Sequence, residues 1–269
     1  MAIVTSPAAG EARSLPPAAA RAGPRYWLHA YRRMVVWNLV DLRLQLPILA
    51  SVLILQGAGF VVGIGLLFRH IPEPTATFLV TGIPVINLIT AGLIFEPQIV
   101  ADQRSSGSYE FLQSMPVPRS TAAMAWYTVA LATALPAVAI SLAAGVARYH
   151  LHLVLTPALV PAILLTSLTG VLMGYAVAHA IRAPMVARLV SVTLIFVLFG
   201  FSPVTFPASH LPAWLAQANR WLPFGSMATI VRSALVPGMT AGTGRAYVVV
   251  AAWAAASGLV AAWAVGHRR

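Results

Sequence analysis

The 269-residue chain has no cysteine and, although it carries 17 basic residues, not one of them is lysine. Without cysteine there are no disulfides, no thiolate zinc sites and no cysteine nucleophile. Without lysine there is neither a Schiff base nor a phosphate-binding loop of the GxxxxGK[ST] kind, so the chain is not a P-loop nucleotide hydrolase. Carboxylates are also scarce: Glu11, Asp41, Glu73, Glu96, Asp102 and Glu110 are the whole set, and nothing after position 110 is acidic. The segment from Phe111 to Arg269 therefore holds no two-carboxylate catalytic pair and no oxygen-rich metal cage. Charged residues make up only 9% of the chain, against roughly 25% in a globular protein, which excludes a water-soluble fold.

What is present is hydrophobic: 59% of the residues, gathered in long runs. Crossing a bilayer as a helix takes about 20 apolar residues, because no backbone amide can stay unpaired in hydrocarbon. Six runs qualify, at 46–68, 77–100, 121–147, 154–180, 185–201 and 245–265. The expected fold class is all-α integral membrane with six transmembrane helices. The Ala/Pro-rich opening, 1–24, has no apolar run after a positive start and reads as a disordered tail, leaving 25–269 as one membrane domain. With an inside amino terminus, twelve of the 17 arginines fall on the cytoplasmic side, which predicts that both termini are cytoplasmic and that the chain sits in a bacterial plasma (inner) membrane. Arginines at span ends and tails form no single basic face, so the net charge of +11 does not indicate nucleic-acid binding.

Ahead of the first span, 25–45 reads as an interfacial helix. At 100° per residue Arg25, Arg32 and Arg43 share one side, with Trp27, Tyr31, Met34 and Trp37 towards the other, suited to the headgroup boundary. Within the spans, Gly59-x-x-x-Gly63 and Gly170-x-x-x-Gly174 permit close helix approach, including contact with a second copy. Glu96 is the one acid inside a span. It is either a functional carboxylate, or it reaches water at the helix end or pairs with Arg104. His150 and His152 lack neighbouring ligands for a metal and read as a solvated loop.

The polar, proline-bounded segment between the second and third spans, 102–118, reads as a short helix across the cytoplasmic surface. Ser105 or Ser106 caps it, Gly107 permits an unusual turn, and Glu110 favours its first turn. Phe111, Leu112 and Met115 form an apolar ridge that fits a partner's groove, and Pro116 and Pro118 end the helix. The run Arg104, Gly107, Glu110, Leu112, Pro116, Val117, Arg119 resembles the loop of the type 2 ABC transporter membrane-domain (permease) family, drug- or antibiotic-exporter-like, departing from it at Ser105, where an acid is common. The resemblance implies that this segment is a coupling helix resting on a separate ATP-hydrolysing subunit, with Tyr109 among its contact residues.

A second similarity to that family lies at 202–238, between the fifth and sixth spans. Phe206-Pro207, Leu211-Pro212, Asn219, Pro223 and Arg232 match the family's pair of short re-entrant helices, although Trp221-Leu222 separates the asparagine from the proline. Two short helices are expected there, Leu211–Asn219 and Gly225–Leu235.

The resemblance further implies a permease subunit of an ATP-driven exporter, not itself an enzyme. It would bind no cofactor, ATP and Mg being held by two copies of a partner ATPase, and would act with a second permease chain as a homo- or heterodimer. A cavity between the second and fifth spans would be lined by Phe78, Asn87, Phe196 and Phe199, suiting a hydrophobic drug- or lipid-like substrate. The competing readings are a cation-coupled secondary carrier using Glu96 and a membrane assembly subunit that transports nothing.

Overall fold

Hydrocarbon offers backbone amides no water, so a chain this apolar must satisfy them within helices. The computed structural model describes residues 23–67, 71–109, 112, 117–181, 183–205, 207 and 211–266, and among them there is helix and no strand. The elements are α1 (Pro24–Asp41), α2 (Gln45–Leu67), α3 (Glu73–Ile89), a π-helical segment (Thr90–Ile94), α4 (Phe95–Ser106), α5 (Arg119–Tyr149), α6 (Leu159–Ala180), α7 (Pro184–Phe201), α8 (Ala213–Asn219), α9 (Pro223–Leu235) and α10 (Thr243–Gly266). Five stretches are long and apolar enough to cross a membrane: Gln45–Leu67, Glu73–Ser106, Ser120–Tyr149, Leu159–Ala180 and Thr243–Ala264. The expected fifth span, α7, is the shortest of the apolar candidates.

Side-chain tethers define two ends of the bundle. At the near end, Arg104 of α4 reaches the last carbonyls of α6, and Asp102 of α4 pairs with Arg188 of α7. At the far end, Arg232 of α9 binds Phe78 and Thr81 of α3 together with the turn that follows α7. Also there, Val154 N and Thr156 Oγ1 donate to the carbonyls of Leu235 and Ala234. Hence α7 starts at the near end and finishes at the far end, while α8 and α9 stay at the far end. Residues 154–158, expected to begin the fourth span, are not helical, because their backbone and hydroxyl donors are spent on α9 and Pro157 precedes the first turn.

The second apolar run forms a continuous 34-residue rod from α3 through α4, and it is the most buried of the five. Pro97 explains the π segment. Proline has no N–H for the carbonyl four residues back, and its ring crowds that group. One extra residue in the preceding turn opens the helix, and Phe95 N accordingly bonds back to Thr90 O. Gly92, within that turn, lies against Gly170 and Gly174 of α6: a Cβ on Gly92 would come 2.5 Å from Val171 N, and one on Gly174 would strike the Gly92 carbonyl. The motif Gly170-x-x-x-Gly174 is thus consumed inside the chain. Around Gly59 and Gly63 of α2 no other helix comes within 4 Å of such a Cβ.

Helix α1 departs from the sequence reading. Trp27 Nε1 donates to Ser120 Oγ (2.9 Å), the Tyr31 hydroxyl is hydrogen-bonded to Thr128 Oγ1 (2.6 Å), and Met34 and Asn38 are buried. The aromatic side therefore docks on α5. Arg25, Arg32, Arg33 and Arg43 are exposed on the other side, beside Leu28, Val36 and Val40. Polar handles on Trp27 and Tyr31 find partners on α5, as buried or half-buried Trp and Tyr usually do.

Candidate functional site

Near-end geometry is built on the last turn of α4. Gly107 closes that helix in the left-handed conformation, φ 78°, which side chains with a Cβ avoid. The hydroxyls of Ser105 and Ser106 donate to Asp102 O (2.8 Å) and Gln103 O (3.1 Å) at the end of α4. Arg104 does not pair with Glu96. Its Nη1 donates to Ile181 O at 2.7 Å and its Nη2 to Ala178 O at 2.8 Å, with the guanidinium 4.7 Å from the centre of the Tyr109 ring. Tyr109 lies 5.9 Å from the His179 ring, which stacks on Tyr175 at 3.9 Å. Leu112 is half-buried, and Pro118 caps the start of α5, where Arg119 is the first residue. Glu110, Phe111, Met115 and Pro116 lie outside the described residues.

Glu96 is 2% exposed, so the water-reaching role read from sequence does not hold. Trp126 is the side chain that approaches its carboxylate, short of a formed hydrogen bond, and Glu96 Oε2 has no partner among the described residues. A buried intramembrane carboxylate was visible in the sequence; its neighbour on α5 was not.

The four candidate pathway residues are not brought together. Phe78 is half-buried at the far end, its ring centre 3.4 Å from the Arg232 guanidinium carbon. Asn87 is wholly buried among α2, α3 and α5, where a Cβ on Gly57 would meet its Nδ2 at 2.7 Å and Ser141 at 3.0 Å. Neither amide atom of Asn87 has a partner among the described residues. One turn on, Gln56 donates to Thr90 across the same seam (3.2 Å), a pairing that sequence reasoning missed. Phe196 is 70% exposed on the outside of α7, and the side chain of Phe199 lies outside the described residues.

At the far end Pro212 caps α8 and Pro223 opens α9, the first-turn position where a missing N–H costs nothing. Asn219 Nδ2 donates to Phe201 O (2.9 Å) and Leu215 O (3.0 Å), fastening α8 to the end of α7. Trp221, part of the insertion before Pro223, offers its carbonyl to Trp253 of α10 (2.7 Å). Arg232 is 3% exposed with no acid beside it. Its fork is instead filled by Phe78 O (3.2 Å), Thr81 Oγ1 (3.2 Å), Pro203 O (3.5 Å) and Val204 O. Pro207 and Leu211 are half-buried, and Phe206 lies outside the described residues.

A family model for the ABC-2 family transporter protein matches residues 71–265, from just before α3 to the last turns of α10. No curated protein matches the chain. The family match takes in both tethered ends and every helix from α3 onward, so the chain belongs to the ABC-2 transporter family and is a multi-pass membrane permease subunit of an ABC transporter.

Proposed function

We propose that the chain is the membrane half of an ATP-driven exporter in which a separate ABC ATPase presses on the loop after α4. The observation that carries this reading is a length. The rod Glu73–Ser106 has 34 residues. At 1.5 Å per residue that is about 50 Å, well beyond a hydrocarbon core of about 30 Å. Its last turn, with Asp102, Ser105 and Ser106 exposed, therefore stands clear of the bilayer as a rigid tip. The whole coupling segment, 102–118, would receive the ATPase through Arg104, Gly107, Tyr109, Glu110, Phe111, Leu112, Met115, Pro116 and Arg119. ATP and Mg belong to the ATPase, two copies of it, and the permease works as a homo- or heterodimer, with the open Gly59/Gly63 face of α2 available for the second copy. In this reading the chain makes six crossings of a bacterial plasma membrane, α7 included, with both termini and the near end on the cytoplasmic side. The far-end hairpin, 202–238, then serves as the re-entrant segment.

The substrate is a hydrophobic drug-, antibiotic- or lipid-like molecule. Apart from Gln56, Asn87, Thr90 and Glu96, the membrane-embedded interior from α2 to α4 offers few polar groups with which to hold a sugar or an ion. Because the chain has no native cysteine, Ser106→Cys carries a single site-directed crosslinker. The expected product is a crosslink to the ATPase, together with ATP-dependent substrate uptake into inside-out vesicles. A crosslink confined to lipid, or uptake indifferent to ATP, would overturn the reading. One observation favours a second reading, a cation-coupled carrier: the fully buried Glu96. Glu96→Gln abolishes transport in a carrier and largely spares it in the exporter. An assembly subunit that transports nothing shows no uptake with either residue.

A further inference from the structure

We propose that Arg104 is a positioning residue that locks the near ends of α4, α6 and α7 into one body, so that a push on the loop after α4 moves α6 and α7 with it. The inference rests on the reading that an ATPase engages this loop, and it goes beyond that reading in saying where the force goes.

The last carbonyls of a helix have no partner within it, and the partial negative charge gathered there favours a cation. Helix α6 ends at Ala180, and the guanidinium of Arg104 delivers its two terminal nitrogens to Ala178 O and Ile181 O. A planar fork holding two acceptors fixes orientation as well as distance, which a single ammonium does not. Arg104 is thus a C-terminal cap lent to α6 by α4, 77 residues away from Ile181 in sequence. The chain then turns at Gly107 and comes back, placing Tyr109 under the same guanidinium and against His179 in the last turn of α6. The turn is therefore held to α6 on both sides. Asp102, one half-turn before Arg104, pairs with Arg188 in the second turn of α7. Both partners are about half exposed, so this pair adds little energy, but it sets α7 against α4.

The near end of α5 belongs to a different set of contacts. Among the described residues, its side-chain hydrogen bonds at Ser120 and Thr128 go to Trp27 and Tyr31 of α1. Helix α5 also packs extensively along α2. Hydrogen bonds that join the two groups are Gln103 to Asp41 (3.2 Å, exposed) at the near end and, further along the bundle, Gln56 to Thr90 (3.2 Å) and Tyr127 to Leu164 O (3.2 Å). The near end accordingly divides into α4–α6–α7, in which Arg104 joins α4 to α6 and Asp102 joins α4 to α7, and α1–α2–α5. A load on the loop does not simply spread the second and third spans; it displaces three helices against the other group along the seam where Asn87 and Glu96 lie buried and Gln56 half-buried.

The test uses spin-label pairs on the cysteine-free chain in lipid nanodiscs: Ser106→Cys with Ala183→Cys within the proposed body, and Ser106→Cys with Arg33→Cys across the seam. In the permease alone, Arg104→Gln should broaden the 106–183 distance distribution, with Arg104→Lys intermediate. With the ATPase bound, trapping with ATP, Mg and vanadate should change the 106–33 distance and leave 106–183 as it was. In Arg104→Gln, the substrate moved per ATP hydrolysed should fall about tenfold, within the range of site-to-site coupling free energies. A 106–183 distribution equally narrow without Arg104, or one that shifts on trapping as much as 106–33, overturns the proposal. If no ATPase engages the loop, the exporter reading fails instead, and the permease-alone comparison still decides whether Arg104 holds the body together.

Discussion

At the scale of single residues, buried polar groups without a charged counterpart carry much of the specificity. Arg232 sits where hydrocarbon would make a lone cation costly, and the fold answers with backbone carbonyls from α3 and from the turn after α7. Arg232→Ala takes this donor from the Pro203 and Val204 carbonyls, whereas Phe78 O keeps Thr81 Oγ1. Each unpaired buried acceptor costs on the order of 1–3 kcal/mol, so a lowered melting temperature in detergent is expected, with Arg232→Lys only partly restoring it because an ammonium cannot fill a fork. Thermal challenge followed by size-exclusion chromatography measures this, and an unchanged melting curve would count against the tether. Glycines discriminate equally sharply. Gly174→Ala puts a methyl against the Gly92 backbone, where nothing can swing aside, whereas Gly200→Ala meets nothing within 4 Å. Loss of monodisperse protein for the first and wild-type behaviour for the second are expected in the same chromatographic assay.

Among the elements, the rod of α3, the π segment and α4 sets the register of everything at the near end. Deleting Ala91 would restore α-helical geometry, but it rotates all that follows by about 100° and shifts it by about 1.5 Å. Glu96 would then turn away from Trp126, and Arg104 away from Ala178 and Ile181. The expected result is protein that still inserts yet shows the broadened 106–183 distance distribution of Arg104→Gln, measured with the same spin labels. A deletion that leaves the distribution narrow would show the π segment to be dispensable. How well the sequence speaks also differs by element. Long apolar runs announce α2, α5 and α10 because length against bilayer thickness is enough. The docked side of α1 stays silent in the sequence: Trp27 and Tyr31 suit a headgroup boundary as well as a helix groove, and the hydroxyls of Ser120 and Thr128 decide between them.

For the whole molecule, the arrangement of ends makes a topological prediction. Helix α7 runs from near end to far end, and α8 and α9 remain at the far end, so Pro237, exposed just past α9, belongs on the side opposite Ser106. In oriented vesicles of the cysteine-free chain, a membrane-impermeant maleimide should label Ser106→Cys and Pro237→Cys from opposite faces, and Val154→Cys from the same face as Pro237→Cys. Labelling of Ser106→Cys and Pro237→Cys from one face would mean that α7 does not cross.

Composition by itself determined that this chain lives in a membrane, is helical and carries no P-loop lysine, because transfer of apolar length into hydrocarbon and the absence of a residue type are properties of residues, not of their arrangement. The motif around Arg104 and Gly107 was legible for the same reason: a left-handed turn favours glycine wherever it occurs. Only the tertiary structure decided what Arg104, Glu96, Asn87 and Phe196 face. Their partners are backbone carbonyls, an indole, a glycine cleft and the outer surface of α7, contacts between groups distant in the chain or set by helix rotation, and no local spacing encodes them. Helix rotation within the bundle is fixed by close approach at points such as Gly92 on Gly174, where a single methyl group is too large, and that geometry exists only once the helices have met.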